Sequence, residues 1–297
     1  MSFIRCYDVF ENFPRAECLR YLYVFPLFRF LNVLGRYAPF FLADYFQFIM
    51  TIEQLRQSVC EANLALVSYG LVTLTWGNAG QLTDEGDAFV IKPSGVPYNQ
   101  MKPSDMVLVD LAGNVREGGN RPSSDTPTYV ELFRFFLQYN ANHPDSAVVR
   151  GIVHTHSACA TAWAQARRKI PCLGTTHADH FYGPVPLTRP LTEFEVNENY
   201  ERNTGIVIVE RFKKGNLSPH EVPAVLAAGH APFTWGATAM DAVKNAVALE
   251  SVAQMARDAL LINPQSPSLE PYVLEKHYNR KHGPKAYYGQ RNVKRET

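Results

Sequence analysis

The sequence has almost no excess of either charge. Its 29 Lys and Arg residues against 28 Asp and Glu residues give a formal net charge of +1 over 297 residues. A chain with so little net charge has no broad electrostatic attraction for nucleic acid or for an anionic membrane. We therefore expect neither as a partner, and any anion must be bound by a local group of side chains.

Cysteine pairs at disulfide-forming or metal-binding spacing are also missing. The sequence has no Cys-x-x-Cys motif, and the number of cysteines is odd. Scattered thiols of this kind are typical of reduced cysteines in the cytosol, so we expect a cytoplasmic protein. None of the five has the spacing of a nucleophile: Cys6, Cys18, Cys60, Cys159 and Cys172.

The first 50 residues lack the regular apolar spacing of the remainder, although they are crowded with Phe, Tyr and Leu. Charged residues leave no run of about 18 apolar residues that could span a membrane, and no signal-peptide pattern is present. Met50 directly precedes Thr51-Ile52-Glu53, which is typical of a capped helix start. We interpret residues 1–50 as an extension outside the domain, produced by a mistaken upstream start codon or serving as a membrane-surface appendage. The interrupting charges are Arg20, Arg29, Arg36 and Asp44.

From Thr51 onward, helical and strand-like patterns alternate up to the C-terminus. Because strands and helices interleave over about 240 residues, the pattern favours a single sheet covered on both faces within one domain, 51–297. Helices are predicted from Thr51 to Gly70, from near Asp125, from about Ser157, from about Thr192, and at 238–261 and 269–280. Strands are predicted at 71–76, 88–92, 106–110, 151–156, 206–210 and 224–228.

A His-x-His pair, His154 and His156, ends the apolar run that begins at Gly151. Residues two apart project from the same face of a strand, so both imidazoles can reach one metal ion. Two ordinary polar residues at a strand end are the alternative interpretation. A third histidine, His230, follows the apolar strand at 224–228, and three protein ligands with one open position are typical of catalytic zinc. Asp125 is either a helix cap or a carboxylate that acts beside the ion.

A second group of residues has the character of an anion site. Helix N-termini, small hydroxyl side chains and one lysine can bind phosphate without a basic protein around them. Each member alone is more typical of a turn, but the set predicts a phosphorylated substrate next to a metal. The set is Asn78, Lys92, Ser94, Gly95, Ser123 and Ser124.

From Glu61 to the C-terminus the sequence resembles the class II aldolase family of sugar-phosphate enzymes. Within the family it is most similar to the 4-epimerases of ketopentose phosphates. No part of the resemblance falls in residues 1–50. The matching blocks are Leu71–Asn78, Val90–Gly95, Arg121–Thr126, Gly151–Ser157, Gly174–Asp179 and Lys281–Gln290.

The resemblance implies an α/β fold, a three-layer α/β/α arrangement with a central, largely antiparallel sheet. It implies one zinc ion per subunit, held by His154, His156, His230 and Asp125, and phosphate contacts at the six residues of the anion site. It assigns acid/base roles to Asp179 and to Tyr288 of a neighbouring subunit, with His277 near the site. It also implies a homotetramer with active sites between subunits, and it implies that the substrate is a phosphorylated ketopentose.

Three functions stay open after the resemblance. The first is the epimerase, which Asp125 favours because related aldolases carry Glu at that position. The second is a sugar-phosphate aldolase, and the third is a non-catalytic binding module of the adducin-head type. One departure from the epimerases is about ten extra residues around 138–149, which we interpret as a surface loop.

Overall fold

The computed structural model describes residues 50–144, 146, 148–284 and 286–287. Of the segment interpreted as an extension, 1–50, only Met50 is described, and Tyr288 lies outside the described residues, so neither prediction is tested. The helices are α1 (Ile52–Ser68), α2 (Thr126–Asn142), α3 (Ala158–Gln165), α4 (Thr175–Ala178), α5 (Glu193–Gly215), α6 (Ala239–Ile262) and α7 (Pro271–His282). The strands are β1 (Asn78–Leu82), β2 (Ala88–Ile91), β3 (Val107–Asp110), β4 (Val115–Glu117), β5 (Gly151–His154), β6 (Ala224–Leu226) and β7 (Pro232–Gly236).

The seven strands form one sheet in the order β4-β3-β2-β1-β5-β7-β6, and every neighbouring pair is antiparallel. The first residue of β1 is paired with the last residue of β5, so Asn78 lies opposite His154. His154 in turn lies opposite Phe233 of β7. The prediction of a single, largely antiparallel sheet is confirmed, and its register brings Asn78 beside the first histidine of the His-x-His pair.

Helices cover both faces of the sheet, which gives the expected three layers. Alternate residues of a strand point to opposite faces, and β2 shows this with Ala88 and Val90 on one side and Phe89 and Ile91 on the other. The first side packs against α1 and the first half of α6, and the second packs against α2 and α5. A third apolar cluster lies between α3, the second half of α6 and β6.

Most predicted helix boundaries are confirmed, because the residues that set them are local. Thr51 and Gln54 form a reciprocal capping box at the start of α1. Thr192 and Glu195 do the same at the start of α5. The last two helices begin within two residues of the predicted starts. In the described part of the chain, no helix is both long and apolar enough to cross a membrane.

The strand predicted at 71–76 is wrong, since this segment contains a turn and the strand begins later, at Asn78. Leu74 has a positive φ of 55°, which an extended strand does not allow. Leu71 is buried in the core, whereas the side chains of Leu74 and Trp76 are 75% and 52% exposed, so the run does not form a continuous buried strand.

The strand predicted at 206–210 is also wrong, because these residues lie inside helix α5. Their β-branched side chains favour a strand by local propensity. However, Ile208 and Phe212, four residues apart, are both buried in the cluster formed with α2. Burial of this helical face outweighs the small difference in intrinsic propensity.

The loop expected at 138–149 begins later than predicted, because α2 continues through Asn142. His143 stacks on Tyr139, one helical turn earlier, with a centroid distance of 4.0 Å. The Asn140 side chain exchanges two hydrogen bonds of 3.2 Å with the backbone of Val149. These contacts stabilise the last turn of α2 and tie the chain back to it just before β5.

Candidate metal centre

His154 and His156 converge at the edge of the sheet where β5 ends. Their Nε2 atoms are 3.1 Å apart, although His156 lies two residues beyond the strand. Nδ1 of His154 donates to the carbonyl of Pro232 at 3.0 Å. Since a carbonyl only accepts, this bond fixes the proton on Nδ1 and leaves the Nε2 lone pair directed at the cluster.

His230 completes a group of three histidines. One nitrogen from each of His154, His156 and His230 lies within 4.8 Å of the other two. His230 is carried by the turn between β6 and β7, in which Gly229 has a φ of +74°. A Cβ atom at Gly229 would meet nothing within 4 Å. The glycine is therefore required by the left-handed conformation of the turn and not by a close approach of the backbone.

The protonation of two of these histidines fits metal binding. Burial, together with the neighbouring histidines, lowers the pKa of His230 to about 4. Burial and His154 also lower the pKa of His156. Neutral imidazoles are the form that binds a metal. Nδ1 of His230 is buried and has no hydrogen-bond partner among the described residues, which is the state expected of a nitrogen reserved for a ligand.

Asp125 lies at the N-cap position of α2 but its side chain makes no capping hydrogen bond. Its Oδ2 instead accepts from Nδ2 of Asn78 at 2.7 Å. The same amide donates to Oγ of Ser123 at 3.1 Å. Asn78 therefore orients the carboxylate, and the cap interpretation of Asp125 is wrong. The group of three convergent nitrogens does not include this carboxylate, although it lines the same cavity.

Lys92 supplies the buried positive charge of the anion site. The residue is 2% exposed, and among the described residues its Nζ hydrogen-bonds to the carbonyl of Pro93 at 3.3 Å and lies 4.8 Å from the ring of Tyr98, with no carboxylate in contact. Burial lowers the pKa of Lys92. An ammonium buried without a carboxylate costs folding free energy, and such a cost is typical of a residue that binds an anion.

The backbone joins the two turns that border Lys92. Ser94 N donates to the carbonyl of Arg121, and Ser123 N donates to the carbonyl of Lys92, at 2.9 and 3.0 Å. The two hydroxyl-bearing turns are thus held side by side. The segment before β1 packs closely against the end of β5 at Gly77, because a Cβ atom there would lie 2.8 Å from the carbonyl oxygen of His154.

One cavity of about 520 Å³ contains the metal-binding and the anion-binding groups. Its volume suits a small phosphorylated metabolite. Six lining residues were missed by the sequence interpretation, namely Thr75, Trp76, Gly77, Pro93, Tyr200 and Glu201. A signal for the last two existed in Asn199, which favours caps over helix interiors. The predicted residues that line the cavity are Asn78, Lys92, Ser94, Gly95, Ser123, Ser124, Asp125, His154, His156 and His230.

Asp179 and His277 do not line this cavity. They form a separate cluster in which the carboxylate of Asp179 accepts from Nε and Nη2 of Arg280, at 2.9 and 2.6 Å. Nδ1 of His277 lies 3.1 Å from the same carboxylate. The structure therefore brings two of the expected acid/base residues together with each other, but not with the histidine group of their own chain.

The fold and the site define a class of protein in which an antiparallel sheet between helix layers presents three histidines and a buried anion site in one cavity. Residues 57–257 match the model of the family described as "Class II Aldolase and Adducin N-terminal domain". The chain belongs to this family.

Solved structures of similar fold include an L-fuculose 1-phosphate aldolase at 22% identity and a TM-score of 0.60, over 76% of this chain and 95% of that one. The L-fuculose 1-phosphate aldolase of Glaciozyma antarctica is 18% identical with a TM-score of 0.60, over 77% and 84% of the two chains. The L-fuculose-1-phosphate aldolase of Thermus thermophilus is 22% identical with a TM-score of 0.54, over 72% and 99%. At these identities the likeness concerns the fold.

Proposed function

We propose that the protein is a zinc-dependent L-ribulose-5-phosphate 4-epimerase, which interconverts L-ribulose 5-phosphate and D-xylulose 5-phosphate. The observation that carries the proposal is the joint presence, in one cavity, of three convergent histidines and a buried lysine that no carboxylate among the described residues neutralises. The first group suits a metal and the second suits a phosphate. A metal next to a phosphate site is the arrangement that carbon–carbon bond chemistry on a sugar phosphate requires.

Asp125 supports the epimerase over the aldolase, as judged from the resemblance. Aldolases that resemble this chain carry Glu at that position. The shorter Asp125 side chain is held by Asn78, and both line the cavity with the histidines. His154, His156, His230 and Asp125 would hold the zinc. When bound, zinc would act as a Lewis acid toward the substrate carbonyl.

The chemistry of epimerisation at C4 explains the need for these groups. The C4 hydrogen is not adjacent to the carbonyl at C2, so direct proton abstraction does not invert this carbon. Loss of the C4 hydroxyl proton to a base instead lets the C3–C4 bond break, which yields a three-carbon enediolate and glycolaldehyde phosphate. Re-addition to the opposite face of the aldehyde, with return of the proton, gives the epimer.

The residues of the anion site would retain the aldehyde fragment between the two steps. Lys92 and the turns at Ser94 and Ser123 can bind its phosphate, so that the aldehyde carbon turns while the fragment stays bound. Reaction on both faces requires one proton acceptor and one donor. We assign these roles to Asp179 and Tyr288, and His277, in contact with Asp179, would assist. The resemblance implies a homotetramer whose sites lie between subunits, and the position of Asp179 outside the cavity of its own chain supports this proposal.

Incubation of the purified, zinc-loaded protein with L-ribulose 5-phosphate tests the proposal. The epimerase should form D-xylulose 5-phosphate, resolved chromatographically, without accumulating dihydroxyacetone. A class II sugar-phosphate aldolase is the second candidate, favoured by the fold of the neighbouring structures. It would release dihydroxyacetone and glycolaldehyde phosphate. If protein with full zinc content formed neither product, both proposals would be contradicted and a binding module would be favoured.

A further inference from the structure

We propose that Tyr98 is a positioning residue of the anion site, whose ring supports the Lys92 ammonium and whose hydroxyl fixes the backbone that carries Trp76. This inference rests on the proposed function, because it explains how the anion site keeps a buried positive charge available for a phosphate. Tyr98 itself does not line the cavity and acts through groups that do.

The chain returns from the cavity to the core at Tyr98. Ser94 and Gly95 line the cavity, and just beyond them a short 3₁₀ helix begins, Tyr98–Gln100. The residue before it, Pro97, has an extended backbone. Tyr98 is 6% exposed and belongs to the apolar cluster that packs against α1. Its position is therefore fixed by the core, while its side chain stays close to the anion site.

The Tyr98 ring gives the Lys92 ammonium a partner that carries no charge. Nζ of Lys92 lies 4.8 Å from the ring centroid, which is within the range of a cation–π contact. The same nitrogen donates to the carbonyl of Pro93 at 3.3 Å. A carboxylate in place of the ring would neutralise the ammonium and repel a phosphate. The ring instead stabilises the buried charge and leaves it available to an anion.

The Tyr98 hydroxyl holds the ring in this orientation. It donates to the carbonyl oxygens of Trp76 and Gly77, at 3.1 and 2.9 Å. Burial raises the pKa of Tyr98, so the phenol keeps the proton that it donates. Because the hydroxyl is bound to two successive carbonyls, the side chain is held with its ring next to Lys92.

The backbone that receives these hydrogen bonds is strained. The N–H of Trp76 donates to the carbonyl of Thr73 at 3.0 Å, which closes a turn in which Leu74 has a φ of 55°. A left-handed conformation is unfavourable for leucine and persists only where neighbouring contacts hold it. The Tyr98 hydroxyl provides such a contact. The turn keeps Trp76 at the cavity, with its ring 6.2 Å from that of His156.

One side chain thus connects the two strands whose ends carry the anion site. Asn78 follows Gly77 at the start of β1, and Lys92 directly follows β2. Loss of the ring should affect Lys92 directly. Loss of the hydroxyl alone should free the turn before Asn78 and affect Lys92 less, because the ring is still present. Substitutions of Tyr98 by Leu and by Phe separate the two effects.

Calorimetric titration of the full-length, zinc-loaded protein with inorganic phosphate tests the inference. Lys92→Met defines the part of the affinity that comes from the anion site. We expect Tyr98→Leu to weaken this part by at least about tenfold, and Tyr98→Phe, which keeps the ring, to weaken it by about threefold. Tyr98→Leu added to Lys92→Met should change the affinity no further. Zinc content should be the same in all variants.

Val59→Ala is the matched control for packing, because Val59 is buried in the same apolar cluster. It should destabilise the protein without weakening phosphate binding. The inference would be overturned if folded Tyr98→Leu protein bound phosphate as tightly as wild type. It would also be overturned if Val59→Ala weakened binding as much as Tyr98→Leu, since Tyr98 would then act only through the stability of the core.

Urea denaturation of the same variants tests the contact between Tyr98 and Lys92 without any ligand. Tyr98→Leu should raise the equilibrium constant for unfolding at least about threefold less in the Lys92→Met background than in wild type, because no ammonium then needs the ring. Equal effects in the two backgrounds would overturn the inference. Protein that shows this coupling but binds no phosphate would refute the proposed function, while the support of Lys92 by Tyr98 would stand.

Discussion

The side-chain amide of Asn78 donates a hydrogen bond of 2.7 Å to Oδ2 of Asp125, although the two residues are 47 positions apart in the chain. Asn78 begins β1, and Asp125 precedes the first turn of α2. The bond joins a residue expected to contact phosphate to one expected to contact the metal. Oδ1 of Asn78 is buried and has no partner among the described residues.

Replacement of Asn78 by Ala should therefore loosen Asp125 and weaken zinc binding by about 10- to 100-fold, as removal of outer-shell hydrogen bonds does at other metal sites. Folding should change little, because the β1 backbone keeps its strand pairing. Zinc affinity is measured by competition with a chelator. Asn140→Ala removes a remote amide and serves as the control. Equal zinc affinity in Asn78→Ala and wild type would show that the bond does not support the site.

His156→Asn should remove most of the bound zinc and reduce turnover by at least about 100-fold, because one of three convergent nitrogens is lost. Metal content by mass spectrometry and turnover on the same sample check this. His143→Asn, on the surface after α2, should leave both unchanged. Stoichiometric zinc and normal turnover in His156→Asn would refute the assignment of the metal site.

Lys92→Met should abolish phosphate binding and at the same time stabilise the protein by about 1 kcal/mol, because an apolar side chain of similar length carries no buried charge. Thermal denaturation and phosphate titration measure the two effects. Lys102→Met, at an exposed lysine, should change neither. Stability lost together with phosphate binding would instead assign Lys92 a structural role.

The stabilisation by Lys92→Met should depend on pH. Burial lowers the pKa of Lys92 from its ordinary value of 10.5. Between the lowered pKa and 10.5 the unfolded chain binds more protons than the folded one, so the stability of the wild type rises with pH. The advantage of the variant should be complete below the folded pKa and shrink as the pH rises through it toward 10.5. Melting temperatures over this range test the sign.

Asp179→Asn should destabilise the protein by about 3 kcal/mol at pH 7, because a nearly buried carboxylate loses a bidentate Arg280 contact. Burial raises the pKa of Asp179, but hydrogen bonds from Arg280 and His277 outweigh it and the net pKa is lowered. The stabilisation is present above the unfolded pKa and is lost as the pH falls through the folded one. Denaturation at neutral and acidic pH should therefore show a difference that disappears on acidification.

Asp258→Asn is the control for this prediction, since Asp258 pairs with Arg257 in an exposed ion pair. Such pairs contribute little to stability. A difference between Asp179→Asn and wild type that persisted at low pH would mean that the loss arises from packing and not from the charge.

Tyr288→Phe and His156→Asn should each be inactive, yet mixed tetramers of the two should recover part of the activity. Such a mixture contains sites with a complete histidine set from one chain and the tyrosine of another. Turnover is measured after re-assembly, with mixing verified by native mass spectrometry. The two variants kept unmixed are the control. No recovery in verified mixed tetramers would place Tyr288 in its own chain's site or outside the chemistry.

Local patterns predicted much of this architecture. The capping residues Thr51 and Thr192 set helix starts from within three residues, so their effect is visible in the sequence alone. The two predicted strands that the structure does not contain share a cause, namely reliance on local propensity. At 71–76 and 206–210 apolar or β-branched side chains suited a strand, but a turn at Leu74 in one case and packing of a helical face in the other decided otherwise.

The sequence by itself determined which chemical groups the site can draw on: three candidate metal-binding histidines, Lys92, hydroxyl-bearing turns and the spacing that places His154 and His156 together. Only the tertiary structure decided what these groups contact. Asp125 does not cap its helix but accepts a hydrogen bond from Asn78. Asp179 lies outside the cavity of its own chain, where it pairs with Arg280. The non-helical backbone of Asn199 inside α5 lets Tyr200 and Glu201 line the cavity. The reason is physical, because spacing within a strand or helix is fixed by local geometry, whereas contacts between distant segments depend on how the layers pack.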